Sequence, residues 1–167
     1  MAFTVTARDI AFVLRCSGAG TLAYALASIL GLEHPVWASI SGVIVSQEEL
    51  NQTKNATFWR LAGTIVGILV SVTAGSLTAS TGMSVAMQMG LSIALCAAIV
   101  RRWPDLKVAM WTAPVLFFAR DPSVSLLTIG YWRGSEVVLG GLTGAALHFV
   151  SERLIFNLEN RAPKPDA

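Results

Sequence analysis

Two arginines in this chain follow a tryptophan at the opening of an apolar run, in Phe58-Trp59-Arg60 and in Tyr131-Trp132-Arg133. A guanidinium stays charged at any physiological pH and presents a planar fork of donors that matches a carboxylate. Held in the middle of a bilayer, such a charge costs about 2.5–3.5 kcal/mol. Two accounts cover that cost. In one, each Trp-Arg pair anchors its helix at the membrane surface, ring among the headgroups and charge in water. In the other, each arginine sits near one mouth of a central cavity and attracts an anion. Glu136 follows Arg133 by one helical turn and is placed to neutralise it, whereas Arg60 has no acidic residue one turn ahead. Trp37 and Trp111 stand in two short apolar segments and add flat apolar surface that suits an aromatic carboxylate, although an interfacial aromatic belt has the same composition. Gln47 and Glu48 lie in the polar stretch between two apolar blocks, where they are candidates to gate a passage or to couple it to protons.

Other chemistry finds little support. The chain has no Walker A run, no HExxH, no GxSxG and no CxxC, so no enzyme and no cofactor is expected. Cys16 and Cys96 sit inside apolar blocks and read as small buried hydrophobes. His34 and His148 belong to no ligand spacing and read as packing or interfacial residues, so no metal is expected. A net charge of +2 without a basic stripe argues against nucleic acid.

The elements that must position these residues are apolar and long. Only 13% of the 167 residues are charged, about half the share of a soluble domain, and the mean hydropathy is +0.62. Leu61 to Leu77 contains no charge at all, which a surface helix of a soluble bundle would need on its outer face. Six apolar blocks are legible, at about 10–32, 35–46, 58–77, 83–100, 108–119 and 131–150. The expected fold is therefore all-α, a polytopic membrane protein of six transmembrane helices. Residues 1–9 would form a short cytoplasmic lead, 10–150 the membrane domain, and 151–167 a charged cytoplasmic tail. Six spans bring both termini to one side, and that side collects Arg8, Arg15, Lys54, Arg60, Arg101, Arg102, Lys107, Arg153, Arg161 and Lys164, against Arg120 and Arg133 opposite. Positive charge stays inside, so both termini are placed in the cytoplasm and the protein in the inner (plasma) membrane.

The two arginine motifs also mark an internal repeat. Gly67 follows Arg60 at the distance at which Gly140 follows Arg133, and Trp37 corresponds to Trp111 with one further residue inserted. Each half is a long helix, a short tryptophan-bearing helix, a connector and a glycine-spaced helix. Three spans per half is odd, so the halves form two inverted three-helix repeats. The second and fifth blocks are short, and each carries a proline, Pro35 and Pro114. Matched short segments of this kind point to a site at their ends, unless the loops merely dip into a thin region. Gly63, Gly67, Ser71 and Gly75, and separately Gly140 and Gly144, recur every fourth residue. These stripes predict close packing of the third and sixth helices on each other or on a second copy.

Pro35, Trp37 and Ala38, then Gln47-Glu48, then Arg60, Gly63, Thr64 and Gly67 together resemble the fusaric acid resistance, or aromatic acid exporter, family. The plant aluminium-activated malate transporters share a similar stretch. Arg133, Glu136 and Gly140 resemble the end of the family's membrane domain, and the resemblance extends over about residues 10–150. It implies a six-helix module that exports small organic anions, aromatic carboxylates among them, with Arg60 and the Trp37 segment lining the pathway. Larger exporters of this kind carry two such modules, so a homodimer or higher homo-oligomer in the lipid bilayer is expected here. The alternative is a non-transporting membrane subunit or scaffold that docks a partner through its glycine-rich helix faces.

Overall fold

A computed structural model of the chain describes residues 6–47, 49–119 and 123–161. Among these it is all-helical. The helices are α1 (Ala7–Ile29), α2 (Pro35–Val45), α3 (Leu50–Thr78), α4 (Val85–Arg102), α5 (Val108–Phe118) and α6 (Leu126–Arg161), with 3-10 turns at Ala79–Thr81 and Pro104–Lys107. Local signals set the ends. Thr6 and Asp9 form a reciprocal capping box on α1, and Ser84 caps α4. Proline opens α2 at its first turn, where a missing N–H costs nothing. Gly31 and Gly82 take the left-handed conformation that ends a helix.

Among the described residues, three helices are long and apolar enough to cross a membrane: Arg8–Ile29, Leu50–Thr81 and Val85–Arg102. The 36-residue α6 has the length, but Arg133, Glu136 and His148 lower its hydropathy, and all three are buried. The interior mixes small apolar residues with many polar ones, and the exterior is greasy. The buried residues of α3 are Thr53, Thr57, Arg60, Gly63, Thr64, Gly67, Ser71, Ala74, Gly75 and Thr78, with no large aliphatic side chain among them. Leu14, Leu22, Ile65, Leu69, Leu91 and Leu142 face outward. This pattern suits a protein whose solvent is lipid.

α3 and α6 run antiparallel at the centre. A Cβ on Gly130 would meet Ile68, and one on Gly141 would meet Thr57. Nearer the ends, Thr53 bonds His148 and Gly75 faces Leu126. These contacts come in matched pairs: moving each residue by the spacing from Arg60 to Arg133 turns one contact of a pair into the other. The flanking helices follow the same rule. α2 packs on α1 and α6 as α5 packs on α4 and α3, and α1 rests on α6 as α4 rests on α3.

The glycine stripes differ from expectation in their partners. Gly67 packs against Ala109 and Thr112 of α5, and Gly140 against Ala38 and Ser41 of α2. Gly63, Gly67, Gly140 and Gly144 face the short helices or the turn before α5, where backbones come close, while Gly75 meets Leu126 of α6 as well as Phe117 of α5. This packing also sets the correspondence of the short helices. Ala38 answers to Ala109 and Ser41 to Thr112, so Trp37 answers to Val108 and not to Trp111. The proline matching Pro35 in role is Pro104, which opens the turn before α5, whereas Pro114 lies inside α5.

α2 and α5 have 11 residues each, about 16 Å of helix. α2 begins beside Glu136 and reaches Gly144 with Gly42 and Val45. α5 begins beside Gly63 and reaches Gly75 with Phe117. Both therefore start near the middle of the α3–α6 pair and run to opposite ends. The stretch 50–57, polar enough to read as a connector, forms the first two turns of α3. Thr53 and Thr57 are buried there, while Asn51, Gln52, Lys54 and Asn55 are exposed. Likewise α6 continues unbroken past residue 150 to Arg161. The free thiols Cys16 and Cys96 form no disulfide.

Candidate functional site

One face of α2 gathers both arginines. The Arg133 guanidinium carbon lies 4.1 Å from the centre of the Trp37 ring, and Arg60 Nε donates to Ser41 Oγ at 3.2 Å. Trp37 and Ser41 are one helical turn apart, so the two cations occupy successive turns of one short helix. Both are buried, Arg60 7% and Arg133 6% exposed. Their helices dictate this placement. Arg60 follows the buried Thr53 and Thr57 on the inner face of α3, and Arg133 lies two turns before Gly140, the point at which α6 closes on α2.

Glu136 attracts Arg133 through space, as its spacing predicts, but without touching it. Among the described residues no ion pair joins the two. Glu136 Oε1 accepts the backbone N–H of His34 at 2.7 Å and lies 3.6 Å from His34 Nδ1. The carboxylate thus serves the N-terminus of α2, where orphan donors gather and no side chain of α2 itself caps. Replacing Glu136 with alanine removes this acceptor and is expected to cost about 1–3 kcal/mol. Detergent-micelle unfolding titrations of the two proteins measure the difference.

Arg133 is left with Nε and Nη1 buried and without a hydrogen-bond partner. The contact with Trp37 contributes about 2 kcal/mol when desolvated. Each unmet buried donor costs about 1–3 kcal/mol. Glu136 adds an attraction and Arg60 a repulsion, and burial outweighs both. Thr64 Oγ1, one turn beyond Arg60, is also buried without a partner.

Arg60 forms part of the wall of a pocket of about 670 Å³, together with Gln47, Gln52, Asn55, Trp59 and Lys107. That volume suits a small molecule. Gln47 is pinned at its rim: its Nε2 donates to Ile44 O at 2.7 Å, its backbone N–H to Thr53 Oγ1 at 3.0 Å, and its carbonyl accepts from Arg15. Of the residues picked out by sequence, the structure gathers Arg60, Arg133, Trp37 and Gln47 around α2. Trp111 lies apart, 74% exposed on the outer face of α5, and Glu48 lies outside the described residues. Sequence reasoning missed Ser41, whose only signal is its one-turn spacing from Trp37, and the His34–Glu136 contact, which carries no local signal.

Residues 9–103 match the model of the fusaric acid resistance protein family. The chain belongs to this family. No curated protein and no solved structure matches it. Membership in the fusaric acid resistance family places the chain among multi-pass membrane proteins of transport and resistance. The matched segment runs from α1 to the end of α4 and contains Trp37, Ser41, Gln47 and Arg60, while Arg133 and Glu136 lie beyond it.

Proposed function

We propose that the protein exports small organic anions, aromatic carboxylates among them, across the inner membrane, along the seam between α2, α3 and α6. The observation that carries this reading is the pair of buried guanidinium groups on one face of α2, with two donors of Arg133 that no protein acceptor meets. An anion fills that need and a cation does not. Arg60 receives the carboxylate from its pocket, Trp37 offers a face to an aromatic ring beside Arg133, and Gln47 forms the rim. Trp111 is too far out on α5 to share in this.

The same reading takes the six helices as two inverted halves, α1–α3 and α4–α6, with cytoplasmic termini. The antiparallel α3–α6 pair and the matched contacts around it support that arrangement, as does the convergence of both short helices on one central level. The positive ends of α2 and α5 then lie near the two arginines and add to the attraction for an anion. A homodimer restores the module count of larger exporters. A scaffold that docks through glycine faces is disfavoured, because Gly63, Gly67, Gly140 and Gly144 are already packed within the chain.

The test is flux of labelled benzoate from proteoliposomes. Arg60→Ala is expected to lower it roughly tenfold or more with expression and oligomer size unchanged. Equal flux through the variant, or none through the parent protein, removes the transport reading.

A further inference from the structure

At the end of the molecule where α2 gives way to α3, a second buried cluster forms a closed circuit. His148 is 0% exposed. Its Nδ1 lies 2.6 Å from Thr53 Oγ1, and the same oxygen accepts the Gln47 N–H. Its Nε2 is buried without a hydrogen bond, 3.5 Å from Glu152 Oε1. Glu152 lies 4.0 Å from Arg15 Nη1, and Arg15 Nη2 donates to the Gln47 carbonyl. Both arms from His148, through Thr53 and through Glu152 with Arg15, thus end on the backbone of Gln47, at the rim of the Arg60 pocket. A neighbouring pocket of about 360 Å³, lined by Arg8, Asp9, Arg15, Glu49 and Glu152, opens beside it and leaves Glu152 46% exposed.

The fold does not need this chemistry to close a helix end. At the opposite end, the positions that answer to Thr53 and His148 are Leu126 and Gly75, which pack together with Phe117 as a plain apolar contact. The same architectural joint is apolar at one end and titratable at the other, so the ionisable groups serve something other than packing.

We propose that His148 and Glu152 form a proton-binding site whose charge state is transmitted to Gln47 and so to the Arg60 pocket; this rests on the transport reading above. A proton entering from water past Glu152 adds to the imidazole and makes both ring nitrogens donors. Nδ1–H must then donate to Thr53 Oγ1, which ends any donation from Thr53 to the ring. Nε2–H competes with Arg15 for the one carboxylate, and Arg15 is left with Gln47 and the ring of Phe12. Among the described residues, the charged groups facing His148 are therefore Glu152 from its own helix and Arg15 from α1, with Arg8, Asp9 and Glu49 around the pocket mouth.

The experiment is an NMR titration of the histidine ring in micelles, in a His34→Gln background that leaves His148 as the one histidine. The ring signals are expected to move in one step as the pH is changed, and the Gln47 amide with the same midpoint. Glu152→Gln, at a half-exposed position that does not threaten folding, is expected to move that midpoint to lower pH by about half a unit or more. A Thr53→Leu/His148→Gly variant, which copies the opposite end, is expected to fold and to lose the pH response of Gln47. A ring that does not titrate, a midpoint unmoved by Glu152→Gln, or a Gln47 amide that ignores it overturns the proposal. Benzoate flux separates the two readings: titration without flux sinks transport alone, and flux without titration sinks the proton site alone.

Discussion

Gly140→Ala is expected to abolish the folded protein in detergent, although it adds one methyl group to a helix and raises helix propensity. The added Cβ would run into Ala38 O and lie 2.7 Å from Ser41 Cβ. The first of these is backbone and cannot rotate away, so α2 has to leave α6. Overpacking in a filled interior costs about 1–3 kcal/mol and sometimes more. Here it also pulls Ser41 from Arg60 and Trp37 from Arg133, stranding two buried cations. Gly90→Ala is the control, since nothing lies within 4 Å of its added methyl; it is expected to be neutral or slightly stabilising, by helix propensity. Size-exclusion profiles and thermal unfolding of the two variants decide the matter. A well-folded Gly140→Ala protein would mean that α2 does not close on α6 as described.

The second large effect runs in two directions at once. Arg133→Met is expected to raise stability by about 2 kcal/mol while lowering benzoate flux roughly tenfold or more. The substitution keeps an unbranched chain of similar reach beside Trp37 and removes a buried charge with two unmet donors. The lost attractions, about 2 kcal/mol to the ring and a further one to Glu136, are outweighed by the desolvation and the Arg60 repulsion it removes. A residue kept at a cost to stability is one kept for another purpose. If Arg133 were structural, the methionine variant would unfold earlier than the parent. Thermal unfolding together with proteoliposome flux on the same preparations separates these outcomes.

The positions of the six helices were legible because lipid-facing residues such as Leu69, Leu91 and Leu142 make every block apolar. The arginine motifs and the glycine spacing located both central helices. The first turns of α3 were not legible: Asn51, Gln52, Lys54 and Asn55 look like a loop by hydropathy, and only the buried Thr53 and Thr57 reveal a helix whose inner face is polar. Trp111 was misplaced by a similar cause. Matching tryptophan to tryptophan follows side-chain likeness, whereas the backbone correspondence is set by the small residues Ala38, Ser41, Ala109 and Thr112, which few patterns single out. His148 continued the four-residue spacing of Glu136, Gly140 and Gly144, which reads as packing and not as a proton site. Its partners Thr53 and Arg15 come from distant helices that no local pattern connects.

α1 and α2 lean chiefly on each other and on α6, while α2 touches α3 only lightly. The ribosome makes α6 after every other helix described here. During synthesis the first hairpin must therefore sit in the membrane without its main support, Arg15 without Glu152 and Trp37 without Arg133. Its early survival rests on the apolar surface of α1 and on whatever insertion machinery shelters it, and a chain halted after α5 would strand that hairpin for quality-control proteases.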